Sequence, residues 1–339
     1  MNKVYVAWSI MLITLAIGLS GCFSSDVHRL PTESRQISSN TLNLKEHWRK
    51  TQIRIKGFSY DNLHLWVISG RVVYVQGSSN GPVDQLQVLD AASGDLLWRL
   101  PEERMGIGQV TVDTKRVYFM ADFIIRAHEL NDGRRLWQSQ EMPPHRTYSL
   151  WSNGEKVYAG DLTKGVTYHF DANTGSPLDS DLSATSDGFV LSAQFPQFDL
   201  HISDNALQAV DRATYKSLWT TNVTSMGSSW RVPVLVEDVL LVGFWDRVIA
   251  IDSRTGQVIW RNQDIPFASN FAVMNGYLYA LDYNARLVKL DIKTGQEKGY
   301  IQFTPARTNV SEKSYSVAAD RQMLFVSFSD SQELIALGP

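Results

Sequence analysis

The chain has 339 residues, 44% of them hydrophobic and 20% charged, which is enough apolar material for a buried core and unlike the composition of a disordered protein. Its single cysteine, Cys22, excludes an internal disulfide, a CxxC redox pair and a multi-cysteine zinc site. With 32 basic residues against 35 acidic ones and no basic run longer than a pair, the chain lacks the concentrated cationic face that nucleic acid requires, so no nucleic-acid partner is expected.

In chain order, the first element is a targeting segment. Lys3 precedes an apolar run from Val4 to Leu19, followed by Ser20, Gly21 and Cys22. One positive charge, a short hydrophobic run and small residues before a break have the pattern of a secretory signal, expected over residues 1–21, with an apolar run shorter than a spanning helix needs. Leu19-Ser20-Gly21-Cys22 resembles the lipobox of bacterial lipoproteins, in which cleavage precedes the cysteine. That resemblance implies lipidation of Cys22 by diacylglycerol and an N-acyl chain of the palmitate type, hence membrane anchoring. Phe23 in place of aspartate points to the outer membrane if the organism is Gram-negative. Residues 22–42 are polar and read as a flexible lipidated tether, so the folded body is expected to span 43–339.

The body is repetitive. An acidic residue recurs at Asp90, Glu129, Asp171, Asp211, Asp252 and Asp291, at intervals of 39 to 42 residues. A glycine follows four positions later at Gly94, Gly133, Gly175, Gly256 and Gly295, with Tyr215 as the exception, and a tryptophan four further on at Trp98, Trp137, Trp219 and Trp260. Short β-branched and aromatic runs flank each copy, which is a hairpin signature. A second series of turns, from Ser69-Gly70 through Asn153-Gly154 and Asn275-Gly276 to Ala319-Asp320, counts seven units. The last unit ends at Pro339 without a fourth strand, while Leu42, Leu44 and Trp48 outline a spare strand near the N-terminus. The predicted fold is therefore all-β: one closed β-propeller of four-stranded blades, completed by the N-terminal strand. Seven blades are expected, with eight as the alternative because the fourth unit is the least regular.

Ala250-Ile251-Asp252-Ser253-Arg254-Thr255-Gly256-Gln257-Val258-Ile259-Trp260 resembles the propeller repeat of the pyrroloquinoline quinone (PQQ) dehydrogenases, and the likeness extends from residue 43 to the end. The physical roles of the repeat residues are structural. Glycine supplies the turn conformation, the acidic side chain bonds the turn amides, and tryptophan wedges between blades. Where the motif breaks, at Asp179, Tyr215 and Gly299, weaker packing between blades is expected.

No chemistry is expected of this chain. The dehydrogenases whose repeat it resembles are longer, and many carry an adjacent cysteine pair at the cofactor. Asp179, Asp181 and Asp187 lack the spacing of a calcium loop. The seven histidines form no HExxH motif, no serine sits in a GxSxG elbow, and Gly106-Ile107-Gly108 has no following helix. The expectations are thus no enzyme, no cofactor and no metal site. A binding role directs attention to the variable connections between blades, Pro101 to Ile107, Glu141 to Thr147, Val223 to Ser229, Asp264 to Ser269 and Thr304 to Ser314. In or beside them lie Arg104, Met105, Met142, His145, Arg146, Met226, Trp230, Phe267 and Arg307, residue types enriched at protein interfaces. A lipid-anchored envelope propeller with this repeat resembles the BamB family of lipoproteins in the outer-membrane β-barrel assembly machinery. The resemblance implies a scaffold with an envelope protein partner. A lipoprotein that holds a small ligand or glycan in its central channel, and a degenerate quinoprotein, are the alternatives.

Overall fold

The same short-range chemistry builds a turn in four of the units. The Asp90 carboxylate accepts hydrogen bonds from the amides of Ala92 and Ser93, Asp171 from Asn173 and Thr174, Asp252 from Arg254 and Thr255, and Asp291 from Lys293 and Thr294. These bonds satisfy the amides that a tight turn leaves unpaired. The turn then closes through a residue at positive φ, +74° at Gly94 and at Gly256, where a Cβ would be strained.

A computed structural model describes residues 34–53, 65–77, 84–100, 109–143, 148–161, 166–178, 190–195, 197–203, 205–211, 214, 216–223, 233–244, 247–263, 265, 267–304, 315–320 and 322–339. These residues contain strands and no helix. The strands form seven antiparallel sheets, the blades of a seven-bladed β-propeller. In chain order the blades occupy residues 65–99, 110–138, 148–171, 190–222, 234–262, 272–303 and 315–338, here called blades 1 to 7. Within each, consecutive strands pair as a meander from the innermost to the outermost. Blade 3 has three full strands, and Pro177 makes only an isolated bridge to Phe170 where a fourth would begin.

The N-terminal segment contributes twice. Lys45–Thr51 pairs with Glu333–Gly338 and supplies the outer strand that blade 7 lacks, as the sequence implied. Upstream, Ile37–Asn40 pairs antiparallel with Glu297–Phe303 and adds a fifth strand to blade 6. Arg35 is 1% exposed. The folded body thus begins before residue 43, and the tether boundary at residue 42 must move upstream. Its Ser and Asn content gives the segment the composition of a tether. A strand added to a sheet edge is held by backbone hydrogen bonds and needs few apolar side chains.

The core lies between blades. Along Arg71–Gly77, Val73 and Val75 pack with Val117 and Phe119 of blade 2, whereas Val72 and Tyr74 pack with Phe325, Leu334 and Ala336 of blade 7. The two-residue period of a strand sends alternate side chains to opposite neighbours, so these middle strands are apolar throughout. Each fully buried valine or leucine stabilises the ring by about 1.5–3 kcal/mol.

Candidate functional site

The repeat residues converge on staples between blades. The indole of Trp98, on the outer strand of blade 1, donates to Leu130 O at 2.9 Å. Trp137 donates to Ala172 O, Trp219 to Ser253 O and Trp260 to Ile292 O, at 2.7–2.9 Å. Each ring lies flat on the glycine of the next blade: a Cβ added at Gly133, Gly175, Gly256 or Gly295 would fall 2.4–2.8 Å from the nearest atom of Trp98, Trp137, Trp219 or Trp260. Trp48 continues the series on Gly94 and donates to Ala91 O at 2.9 Å, which joins blade 7 to blade 1. Three of the acidic turn carboxyls, those of Asp171, Asp252 and Asp291, are held below their ordinary range. The amides of Thr174 and Asn173 hold the Asp171 carboxyl below its ordinary range. For Asp252 and Asp291, desolvation pushes upward but is outweighed by the amides and hydroxyls of Thr255 and Thr294.

One junction is built differently. Blade 7 takes its outer strand from the N-terminal segment, so no turn joins its third strand to its fourth and no turn glycine awaits an aromatic from blade 6. The N-terminal strap fills the gap. Gly299 is covered by Leu42 and Thr41, which corrects the expectation of weak packing there. Arg35 reaches into the junction and donates to Asp330 at 2.5 Å, to Thr304 O at 2.7 Å and to Tyr315 Oη at 3.2 Å. Its guanidinium also lies over the Phe328 ring at 4.5 Å. The Arg35 amide donates to Glu333, which is itself buried and paired with Arg49 at 2.5 Å, and Arg49 in turn reaches Glu46. Burial among these groups pushes the Tyr315 phenol far up. Beside the strap lies a cavity of about 430 Å³ lined by Arg35, Ser38, Tyr283, Gln302, Phe303 and Tyr315.

The structure separates the residues expected at a partner surface. Met142 is buried against Tyr118, Trp137 and Leu150, and Phe267 is fully buried beside Phe271 and Leu278. Both are corrected to core residues: the chain turns them inward as it crosses between blades, where backbone bonds from Met142 N to Phe123 O and Ala268 N to Leu281 O hold it. Cys22, Arg104, Met105, His145, Arg146, Met226, Trp230, Arg307, Asp179, Asp181, Asp187 and Tyr215 lie outside the described residues. Asp211 accepts from Thr214 as the turn chemistry requires. Sequence reasoning missed Arg35, Asp330, Glu333 and Arg49. Asp330 and Glu333 flanking an apolar terminal strand were the available signal, but their partners lie almost the whole chain away.

The family profile described as "Outer membrane protein assembly factor BamB" matches residues 43–188 and 203–339, well over half of the chain. The chain belongs to the BamB family. Two proteins named outer membrane protein assembly factor BamB are similar to it. That of Yersinia pestis is 26% identical over 210 residues, 51% of this chain and 50% of the relative. That of Moranella endobia is 26% identical over 224 residues, 56% of this chain and 55% of the relative. The chain spans about half the length of these curated relatives in the matched regions. Among solved structures, BamB from Moraxella catarrhalis superposes with a TM-score of 0.54 at 15% identity, covering 87% of this chain and 100% of that one. The β-propeller domain of Cps50 (Swd1) from Myceliophteria thermophila superposes with a TM-score of 0.62 at 13% identity, covering 86% and 100%. At such identity these two likenesses speak for the propeller fold alone.

Proposed function

We propose that this chain is a non-catalytic, lipid-anchored envelope propeller that acts as a protein-binding scaffold in the assembly of outer-membrane β-barrel proteins. The observation that carries the reading is the match of the BamB family profile to both halves of the ring. The lipobox-like Leu19-Ser20-Gly21-Cys22 supports an anchor at the membrane, and a rigid ring of stapled blades suits a scaffold. Affinity capture from detergent-solubilised membranes should retain an envelope β-barrel protein or a component of its assembly machinery. Recovery of the tagged chain with no envelope partner, at native expression level, would count against the role. The anchor is tested separately: Cys22→Ala should leave the chain unprocessed and shift its fractionation, and unchanged processing and membrane association would rule the lipid anchor out.

The cavity beside Arg35 favours a second reading, in which the propeller holds a small neutral ligand or a glycan unit. A ligand screen that raises the unfolding temperature of the wild-type chain, and not of a Phe303→Trp variant that fills the cavity, supports it. A degenerate quinoprotein would show a change in absorbance on addition of PQQ and calcium.

A further inference from the structure

Every large hydrophobic residue that is markedly exposed among the described residues lies on, or where blade 3 would form, an outer strand: Leu96, Leu97, Leu178, Leu218 and Ile259. Four of them, Leu97, Leu178, Leu218 and Ile259, stand seven positions after the acidic residue of their repeat. Singly exposed leucines need no explanation, but a constant register on the free edge of a sheet does. The outer strand of blade 4, Ser217–Asn222, stands apart from the rest. Its sequence SLWTTN carries no charge and no proline, whereas the outer strands of the other blades that have one each contain Arg or Lys. Charges and prolines are the devices by which natural proteins protect an open edge from pairing, and this edge has neither. Leu218, at 51%, is the most exposed of the five.

The same ring shows what an outer edge accepts. In blade 6, Tyr300 stands nine positions after Asp291, and its carbonyl accepts from Thr41 N at 2.9 Å while its amide donates to Thr41 Oγ1 at 2.8 Å. The strap that sits there, Ile37–Asn40, reads ISSN, uncharged and short. In blade 4 the residue nine positions after Asp211 is Thr220. Val223 N donates inward to Asn205 O, and Thr221 and Trp219 face Leu207 and Ala209. By the alternation of an antiparallel ladder, the amides of Thr220 and Asn222 therefore turn to the open edge. No partner for that edge occurs among the described residues.

We infer that the outer strand of blade 4 is a strand-addition site for an uncharged, extended polypeptide segment that alternates apolar and polar residues. The segment pairs its backbone with Thr220 and Asn222 and lays an aliphatic side chain on Leu218. The occupant is taken as uncharged because the strand offers no charge for a side chain to pair with and the strap on blade 6, the segment that an outer edge of this ring accepts, is itself uncharged. The source of the segment rests on the function proposed above: unfolded strands of outer-membrane β-barrels alternate in this way.

The test uses the full processed chain and a fluorescein-labelled ten-residue peptide alternating valine with threonine, read by fluorescence anisotropy. Wild type should bind the peptide, Thr220→Pro should abolish binding, and Thr220→Val, which keeps the amide, should retain it. Leu218→Lys should weaken it about threefold to fivefold. Unchanged urea midpoints for the variants show that the blade is intact, because the Thr220 amide faces away from the ladder. Equal binding by wild type and Thr220→Pro, or no binding by wild type, overturns the site. Conversion of a wild-type dimer to a monomer by Thr220→Pro also overturns it, by assigning the edge to a second copy. Peptide binding with no envelope barrel captured from membranes leaves the edge standing and refutes the assembly role instead.

Discussion

Replacing Arg35 by methionine removes the guanidinium and its positive charge from the junction of blades 6 and 7 while keeping an unbranched apolar stem. Arg35 and Asp330 are 1% and 2% exposed at their side chains, so solvent barely screens the pair. The substitution also deletes the donors to Thr304 O and Tyr315 Oη and the cation over Phe328. Stripping one partner from a buried pair leaves the other charge unpaired, which costs about 3–5 kcal/mol. Asp330→Asn alone should cost a comparable amount because it leaves the Arg35 charge unbalanced. The double variant, with no charge left over, should recover part of the loss, with a coupling energy of about 1–3 kcal/mol. Urea unfolding followed by the fluorescence of the 10 tryptophans measures the global term. Limited proteolysis between residues 34 and 42 reports whether the strap leaves the edge of blade 6 before the ring opens. A loss below about 1 kcal/mol for Arg35→Met, with the strap still protected from protease, would refute the account of Arg35 as the clasp of the ring.

Other expectations follow from the same geometry. Gly256→Ala places a Cβ 2.8 Å from Trp219 at a φ of +74°, and should lower stability by about 1–3 kcal/mol. Gly70→Ala, at a similar φ but with nothing within 4 Å, should cost only the backbone term of about 1 kcal/mol, and the two urea midpoints side by side isolate the tryptophan contact. His201 is buried with Nδ1 unpaired, and desolvation lowers its pKa, opposed in part by the charge of Asp199. The neutral ring therefore belongs to the folded state. The stability it confers is present above the unfolded value near 6.5 and is lost as pH falls from there through the lower folded value. His201→Gln should flatten the fall in urea midpoint between pH 7.5 and 5, and an unchanged slope would exclude His201 as its origin. Phe267→Ala should destabilise the ring by about 3–5 kcal/mol, as expected of a core residue, with a calorimetric loss rather than a binding defect as the readout.

Fold class and both series of turns were legible because they depend on residues within a few positions of one another, and the outer strand supplied by the N-terminus because Leu42, Leu44 and Trp48 outline a strand outside any repeat. A carboxylate such as Asp252 satisfies amides two and three residues on, and Gly256 takes up the φ that ends the turn, whatever surrounds them. The forty-residue spacing then repeats a hairpin that cannot bury both faces alone, and a ring follows. The fate of Met142 and Phe267 was not legible, since only the adjacent blade decides whether a connecting residue points inward or to solvent. Arg35 was hidden for a related reason. Its partners stand 295 and 298 positions away, and the polar residues around it pair through backbone rather than through an apolar pattern. The sequence by itself determined the blades, because turns and strand alternation are short-range. Only the tertiary structure decided how the ring is clasped and which edges stay open, because those depend on groups brought together from opposite ends of the chain.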